Sequence, residues 1–219
     1  MEIKLNTSKI KTIRIGDKNY PEKLMNIYGR PQTLYILGNE TLLNEKSIAI
    51  IGCRNASNYG LRSAYQFGYE LAKKGICIVS GFARGIDTYA HKGALAAKGK
   101  TIAVLGCGLN VVYPPENMEL YKQILIKGGA IITEYPLESK PERHHFPIRN
   151  RIISGLSDGV LVVEAKKKSG TLITVEYALE QGKEVYAIPG NITSENSEGT
   201  NELIKEGAIP VTKIEDFMV

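Results

Sequence analysis

The chain has 219 residues, 43% hydrophobic and 23% charged, with a net charge of +5; this is the make-up of a soluble globular protein with one large domain or a domain and a short appendage. No apolar run approaches the roughly 18 residues a membrane span needs, and Met1–Asn6 holds no apolar signal core, so a cytoplasmic protein with no membrane partner is expected. Charge is uneven: residues 191–219 carry two lysines against six carboxylates, net −4, which leaves 26 basic and 17 acidic residues ahead of them, net +9. A basic body suggests a polyanionic partner.

From the N-terminus, residues 1–46 form a short lead-in. Its Tyr20-Pro21-Glu22-Lys23-Leu24 and Pro31-Gln32-Thr33-Leu34-Tyr35 segments read as a small ordered cap, not a second domain. Residues 47–219 read as one domain. Ser47–Cys53, Ile76–Gly81, Thr101–Gly106, Ala130–Tyr135, Gly159–Ala165 and Glu184–Gly190 are short apolar runs rich in β-branched residues. Runs that are continuous rather than alternating point to parallel strands covered on both faces. Helical patterns fall near 58–74, 86–98, 117–128, 145–156 and 171–182. This alternation predicts an α/β fold, a doubly wound, mostly parallel sheet with helices on both faces. Ligands of such sheets sit beyond the carboxyl ends of the strands. Here those ends are rich in glycine and polar residues, among them Gly52-Cys53-Arg54, Ser80 to Asp87, Gly106-Cys107-Gly108 and Glu164-Ala165-Lys166.

Several chemistries fail on spacing. Gly93 to Gly99-Lys100-Thr101 has five intervening residues where a P-loop has four, and it runs from helix into strand, the reverse of the order phosphate binding needs. Gly106-Cys107-Gly108 is followed by Val111 where a dinucleotide fingerprint has its third glycine. There is no Gly-x-Ser-x-Gly elbow. Cys53, Cys77 and Cys107 lie in or at the ends of apolar runs without metal-ligand spacing, so buried free thiols are expected. His144 and His145 are consecutive and cannot share a helix face as HExxH ligands do. No metal, cofactor or carboxylate pair for acid–base work is expected, and His91 is expected to pack or hydrogen-bond within its helix.

Two segments point to anion binding. Ser169-Gly170-Thr171 opens a helix after a strand, where free backbone N–H groups cradle phosphate. In nucleotide-cleaving proteins of the lysine-decarboxylase-like group such a motif supplies a carboxylate three residues after the threonine. Thr174 stands there in this chain, and Glu176 is turned about 200° away at about 100° per residue. The second segment, His144 to Ser157, sets Phe146, Arg149, Asn150 and Arg151 at the start of a helix with an apolar stripe of Ile148, Ile152 and Leu156. Arginine forks match phosphate, and an aromatic among them offers a stacking face to an unpaired base. Alternatively, one of Arg149 and Arg151 pairs internally with Glu134 or Glu164 and only the other meets a ligand.

In order, the motifs resemble the DNA-processing protein A (DprA/Smf) family. They are Ile50-Ile51-Gly52-Cys53-Arg54 with Ser57-x-Tyr59-Gly60; Ser80-Gly81-x-Ala83-Arg84-Gly85-Ile86-Asp87 with Ala90-His91; Gly106-x-Gly108 with Tyr113-Pro114-x-x-Asn117; and Glu134-Tyr135-Pro136. Phe146-Pro147-x-Arg149-Asn150-Arg151 through Ser157, Val163-Glu164-Ala165 with Ser169-Gly170-Thr171, Pro189-Gly190, and Asn201-x-Leu203-Ile204-Lys205-x-Gly207-Ala208 complete the set. The resemblance implies an extended Rossmann-like fold and a non-enzymatic single-stranded-DNA-binding protein. Such a protein protects incoming DNA in natural transformation and helps load the RecA recombinase, often as a homodimer. Longer members add an N-terminal helical domain and a C-terminal winged-helix-like domain, neither of which is expected here. Cys53 departs from the small hydroxyl residue more usual before the arginine.

On this reading Arg54, Arg84, Arg143, Arg149 and Arg151 face phosphates, with Lys166 beside them. Phe146 stacks on a base, Asn150 lies next to it, and Ser169, Gly170 and Thr171 form the cradle. Lys166 to Lys168 could equally be a solvated turn. Leu203, Ile204, Ala208 and Ile209, rimmed by Glu198, Glu202 and Glu206, are the expected dimer patch; the alternative is that they cap the sheet edge. Two rival functions stay open, a nucleotide-derived small-ligand sensor on the same cradle, and a nucleosidase or phosphoribohydrolase.

Overall fold

The computed structural model describes residues 10–217. Nine strands form one sheet: β1 (Ile10–Arg14), β2 (Thr33–Gly38), β3 (Ser47–Ile51), β4 (Cys77–Ser80), β5 (Thr101–Val104), β6 (Ala130–Thr133), β7 (Gly159–Val162), β8 (Glu184–Ala187) and β9 (Ile209–Pro210). Their order is β1-β2-β6-β5-β4-β3-β7-β8-β9. The pairs from β6 through β9 are parallel, and β1–β2 and β2–β6 are antiparallel. The helices are α1 (Glu22–Met25), α2 (Asn58–Lys73), α3 (Ile86–Ala96), α4 (Met118–Ile126), α5 (His145–Leu156), α6 (Gly170–Glu180) and α7 (Glu195–Lys205). This is the expected doubly wound α/β architecture.

The central strands are buried on both faces. Ala49, Ile51, Val79, Ile102 and Val160 pack beneath α1, α5, α6 and α7, through Leu24, Ile152, Leu156, Val175 and Leu203. The alternate residues Ile48, Ile50, Ile78 and Leu161 pack against α2 and α3. Two-sided burial is why these strands read as unbroken apolar runs. Each ends one to three residues before its apolar run does, because the glycine and polar residues that follow leave the ladder for the loops of the site.

The lead-in does more than cap the domain. Within it β1 and β2 extend the sheet past β6, with Ile13, Leu34 and Ile36 buried. Sequence reading passed over them because both are only partly covered, with polar or exposed residues among the buried ones. The expected dimer patch is also corrected. Leu203 belongs to the core, Ile204 and Ala208 pack against it, and Ile209 lies in β9 against the opposite layer. These residues close the sheet edge, with Leu203 buried and Ile204, Ala208 and Ile209 partly buried.

Candidate nucleic-acid interface

The chain winds outward from β3 through β4, β5 and β6, then returns to place β7 on the other side of β3. Strand order reverses there, and the loops after β3 and β7 diverge to leave a cleft. It has a volume of about 800 Å³, lined by Gly52 to Asn55, Ala83, Asp87, Tyr113, Arg143, Phe146, Arg149, Asn150, Lys166 and Ser169 to Thr171.

Two loops shape its floor. After β3, Ser57 caps α2 by accepting the Gly60 N–H at 3.1 Å. The buried Glu164 carboxylate accepts the Ser57 N–H at 2.9 Å and the Ser57 hydroxyl. It fills the space a Cβ would need at Gly60, so a glycine there lets the segment after β7 clamp the start of α2. Glu164 is thereby committed to the scaffold. After β4, Phe82 takes a positive φ of 60° and buries its ring 6.0 Å from Tyr121. Gly85, at φ +72°, lies against the Cys53 and Arg54 carbonyls, where no side chain fits. The two loops therefore lock together directly under Arg54.

Helix α5 supplies the wall. Phe146 contacts Tyr113 at 5.7 Å between ring centroids. The Arg54 guanidinium sits 5.3 Å from the Phe146 centroid and that of Arg149 5.9 Å, both within cation–π range. Arg54 is exposed, as is Arg143, and among the described residues neither has an ion-pair partner. Lys166 is also exposed, paired at 2.7 Å with the exposed Glu195 carboxylate. Asn150 reaches toward the Gly170 carbonyl at 3.5 Å and ties α5 to α6. The first turn of α6 opens onto the cleft, where its N–H groups lack helical partners.

The two arginines of the Arg-Asn-Arg segment part company. Two residues apart on a helix they point about 200° from one another. Arg151 turns away from the cleft, binds Glu134 through two bonds of 2.6 Å and donates to the Gly29 carbonyl at 2.7 Å. Its expected place in the interface is withdrawn in favour of the internal pairing with Glu134. Arg149 lines the cleft floor but is only 3% exposed. It donates to the Gly81 carbonyl at 2.8 Å and to the Val104 carbonyl, and burial holds its pKa down to about 10. Arg84 faces a small side depression shared with Arg54, Tyr113 and Phe146, and its guanidinium is paired with Glu116.

Sequence reading missed Asp87 as a site residue, although it stands in a quoted motif. Its carboxyl is buried in the floor, accepts the Ala83 N–H at 3.2 Å, and is pushed above the usual carboxylate range by burial, against the pull of Arg149. Tyr113, which also stands in a quoted motif, and Asn196, at the start of α7, line the cleft as well; Asn196 carried no local signal. Thr174 lines the cleft where a catalytic carboxylate was sought, and Glu176 is exposed. Of the thiols, Cys77 and Cys107 are buried as expected, whereas Cys53 is only half-buried because β3 stops at Ile51.

The sequence profile described as DNA recombination-mediator protein A matches residues 11–219, and the chain belongs to that family. It is 48% identical over 199 residues to protein Smf of Escherichia coli, spanning 91% of this chain and about half, 53%, of that one. DNA processing protein A from Streptococcus pneumoniae superposes with a TM-score of 0.90 at 45% identity, over 95% of this chain and 73% of the other. DNA processing protein A from Helicobacter pylori, solved for its single-stranded DNA binding mode, superposes with a TM-score of 0.85 at 32% identity, over 95% and 94%.

Proposed function

We propose that this member of the DNA recombination-mediator protein A family binds single-stranded DNA in the cleft between β3 and β7, without chemistry on it. The observation that carries the reading is the Phe146 ring set under the Arg54 guanidinium at the mouth of a cleft that the α6 N-terminus also faces. Arg54, Arg143 and Lys166 meet phosphates, and Phe146 stacks on a base. Gly170 and Thr171 offer N–H groups to a phosphate oxygen. Arg149 shapes the floor and lends it positive potential, while Arg84, paired with Glu116, stands at the side depression next to Arg54. The related Helicobacter pylori protein, with its single-stranded DNA binding mode, supports this assignment.

A binding role rather than a catalytic one is favoured by the threonine at 174, by Glu164 being spent on Ser57, and by Asp87 facing Arg149 in the floor. Family membership extends the proposal to protection of incoming DNA in natural transformation, RecA loading, homodimer formation and work in the cytoplasm. Among the described residues no helix is long and apolar enough to cross a membrane.

Titration of labelled oligo-dT, the matching duplex and free mononucleotides tests the reading. Tight binding to oligo-dT, weaker binding to duplex and little to mononucleotides is expected. Mononucleotide binding as tight as that of oligo-dT would make the cleft a small-ligand sensor. Release of base or ribose phosphate would make it an enzyme.

A further inference from the structure

We propose that Glu142, His144 and His145 form a binding site for a divalent transition-metal ion at the lip of the cleft. One ligand atom from each lies within 4.8 Å of the others. His144 Nδ1 lies 3.6 Å from Glu142 Oε2. Two donors each about 2.1 Å from a tetrahedral ion stand about 3.4 Å apart, so this pair already has nearly the right spacing. The third donor is held from behind. His145 is 9% exposed and stacks on Tyr135 at 3.9 Å. Its Nδ1 lies 3.2 Å from the Gly106 carbonyl. A carbonyl only accepts, so Nδ1 carries the hydrogen and Nε2 keeps the lone pair, the arrangement that orients a metal-binding imidazole.

Adjacent histidines cannot share a helix face as HExxH ligands do, but a site at the start of a helix does not need them to. The helix begins at His145, with His144 in the flanking position and a turn closed by the His145 N–H donating to the Glu142 carbonyl at 3.0 Å. His144 already has helical dihedrals, φ −74° and ψ −19°, yet its ring meets the His145 ring edge-on at 4.5 Å between centroids, and the turn brings Glu142 back beside His144. Arg143, the cation within the triplet, lines the cleft. Two imidazoles and one carboxylate suit zinc, cobalt(II) or nickel, with a fourth position left to water. A bound ion would fasten the turn from which Arg143 and Phe146 reach the cleft.

Equilibrium dialysis of the untagged full chain against zinc, with cobalt(II) absorption as the spectroscopic readout, tests the proposal. One zinc per chain is expected, displacing cobalt(II) whose visible bands have four-coordinate intensity. His144→Ala and Glu142→Gln change exposed side chains and should each weaken zinc binding at least about tenfold, about 1.4 kcal/mol. Cys53→Ser should leave it unchanged. Absence of zinc binding, binding unaltered by both variants, or binding lost on Cys53→Ser instead, would overturn the proposal.

Discussion

Replacing Arg54 by alanine should change how DNA binding responds to salt, by an amount that follows from the cleft. Three cations line it with exposed charge, Arg54, Arg143 and Lys166. Arg149 is buried against carbonyls, and Arg151 is paired with Glu134 outside the cleft. At about 0.7 counterion per phosphate on a single strand, three contacts give a log–log salt slope of about −2. Affinity should then fall about 20-fold between about 50 and about 200 mM salt. Arg54→Ala removes one contact, so its slope should be about −1.4 and the same salt step should cost about 7-fold. At fixed low salt the variant also loses a charge-assisted bond, about 1.5–3 kcal/mol, or about 10- to 150-fold. Fluorescence anisotropy of labelled oligo-dT over that salt range measures both. If slope and affinity match those of the unaltered chain, Arg54 does not touch DNA and the cleft has been assigned wrongly.

Phe146→Ala should lower affinity for single strands by about 1–3 kcal/mol and leave duplex binding nearly unchanged; equal losses on both would remove stacking from the account. Glu134→Gln leaves the Arg151 guanidinium without its counter-charge, with 10% of that side chain exposed. It should cost about 2 kcal/mol of stability, a fall of about 4–8 °C in Tm. DNA affinity should stay unaltered below the transition, and a selective loss of DNA binding would return Arg151 to the interface. His91 is fully buried. Its Nδ1 donates to Thr101 Oγ1 at 2.7 Å, because the Thr101 hydrogen goes to the Ile78 carbonyl. Burial first, then the charge of Arg149, push its pKa down to about 3. The lowered folded-state value means that its contribution is present above about pH 6.5 and is lost as pH falls toward 3. Between pH 7 and 5 that amounts to about 2 kcal/mol. Urea titrations of His91→Gln should show a correspondingly shallower acid loss, and equal losses in both proteins would place the acid sensitivity elsewhere.

The sequence by itself determined the winding of the domain and the neighbourhood of the site. Buried parallel strands must be apolar on both sides, so Ser47–Ile51, Cys77–Ser80 and their partners announce themselves without any alignment. Glycine and polar residues at the strand ends mark where the backbone leaves the sheet, and that is where Arg54, Ala83, Lys166 and Thr171 converge. The resemblance of the motifs supplied the family, which composition alone could not. Tertiary structure decided how each charge is used. Arg149 and Arg151 look alike in the sequence, yet helical phase and the position of Glu134 turn one into the cleft floor and the other into a structural ion pair. The same holds for Leu203 and Ile204, whose partners lie in strands and helices far along the chain, and for β1 and β2, whose place depends on pairing with β6. Local sequence limits what a residue can do; which charges remain free is set by groups that only the fold brings within a few ångströms.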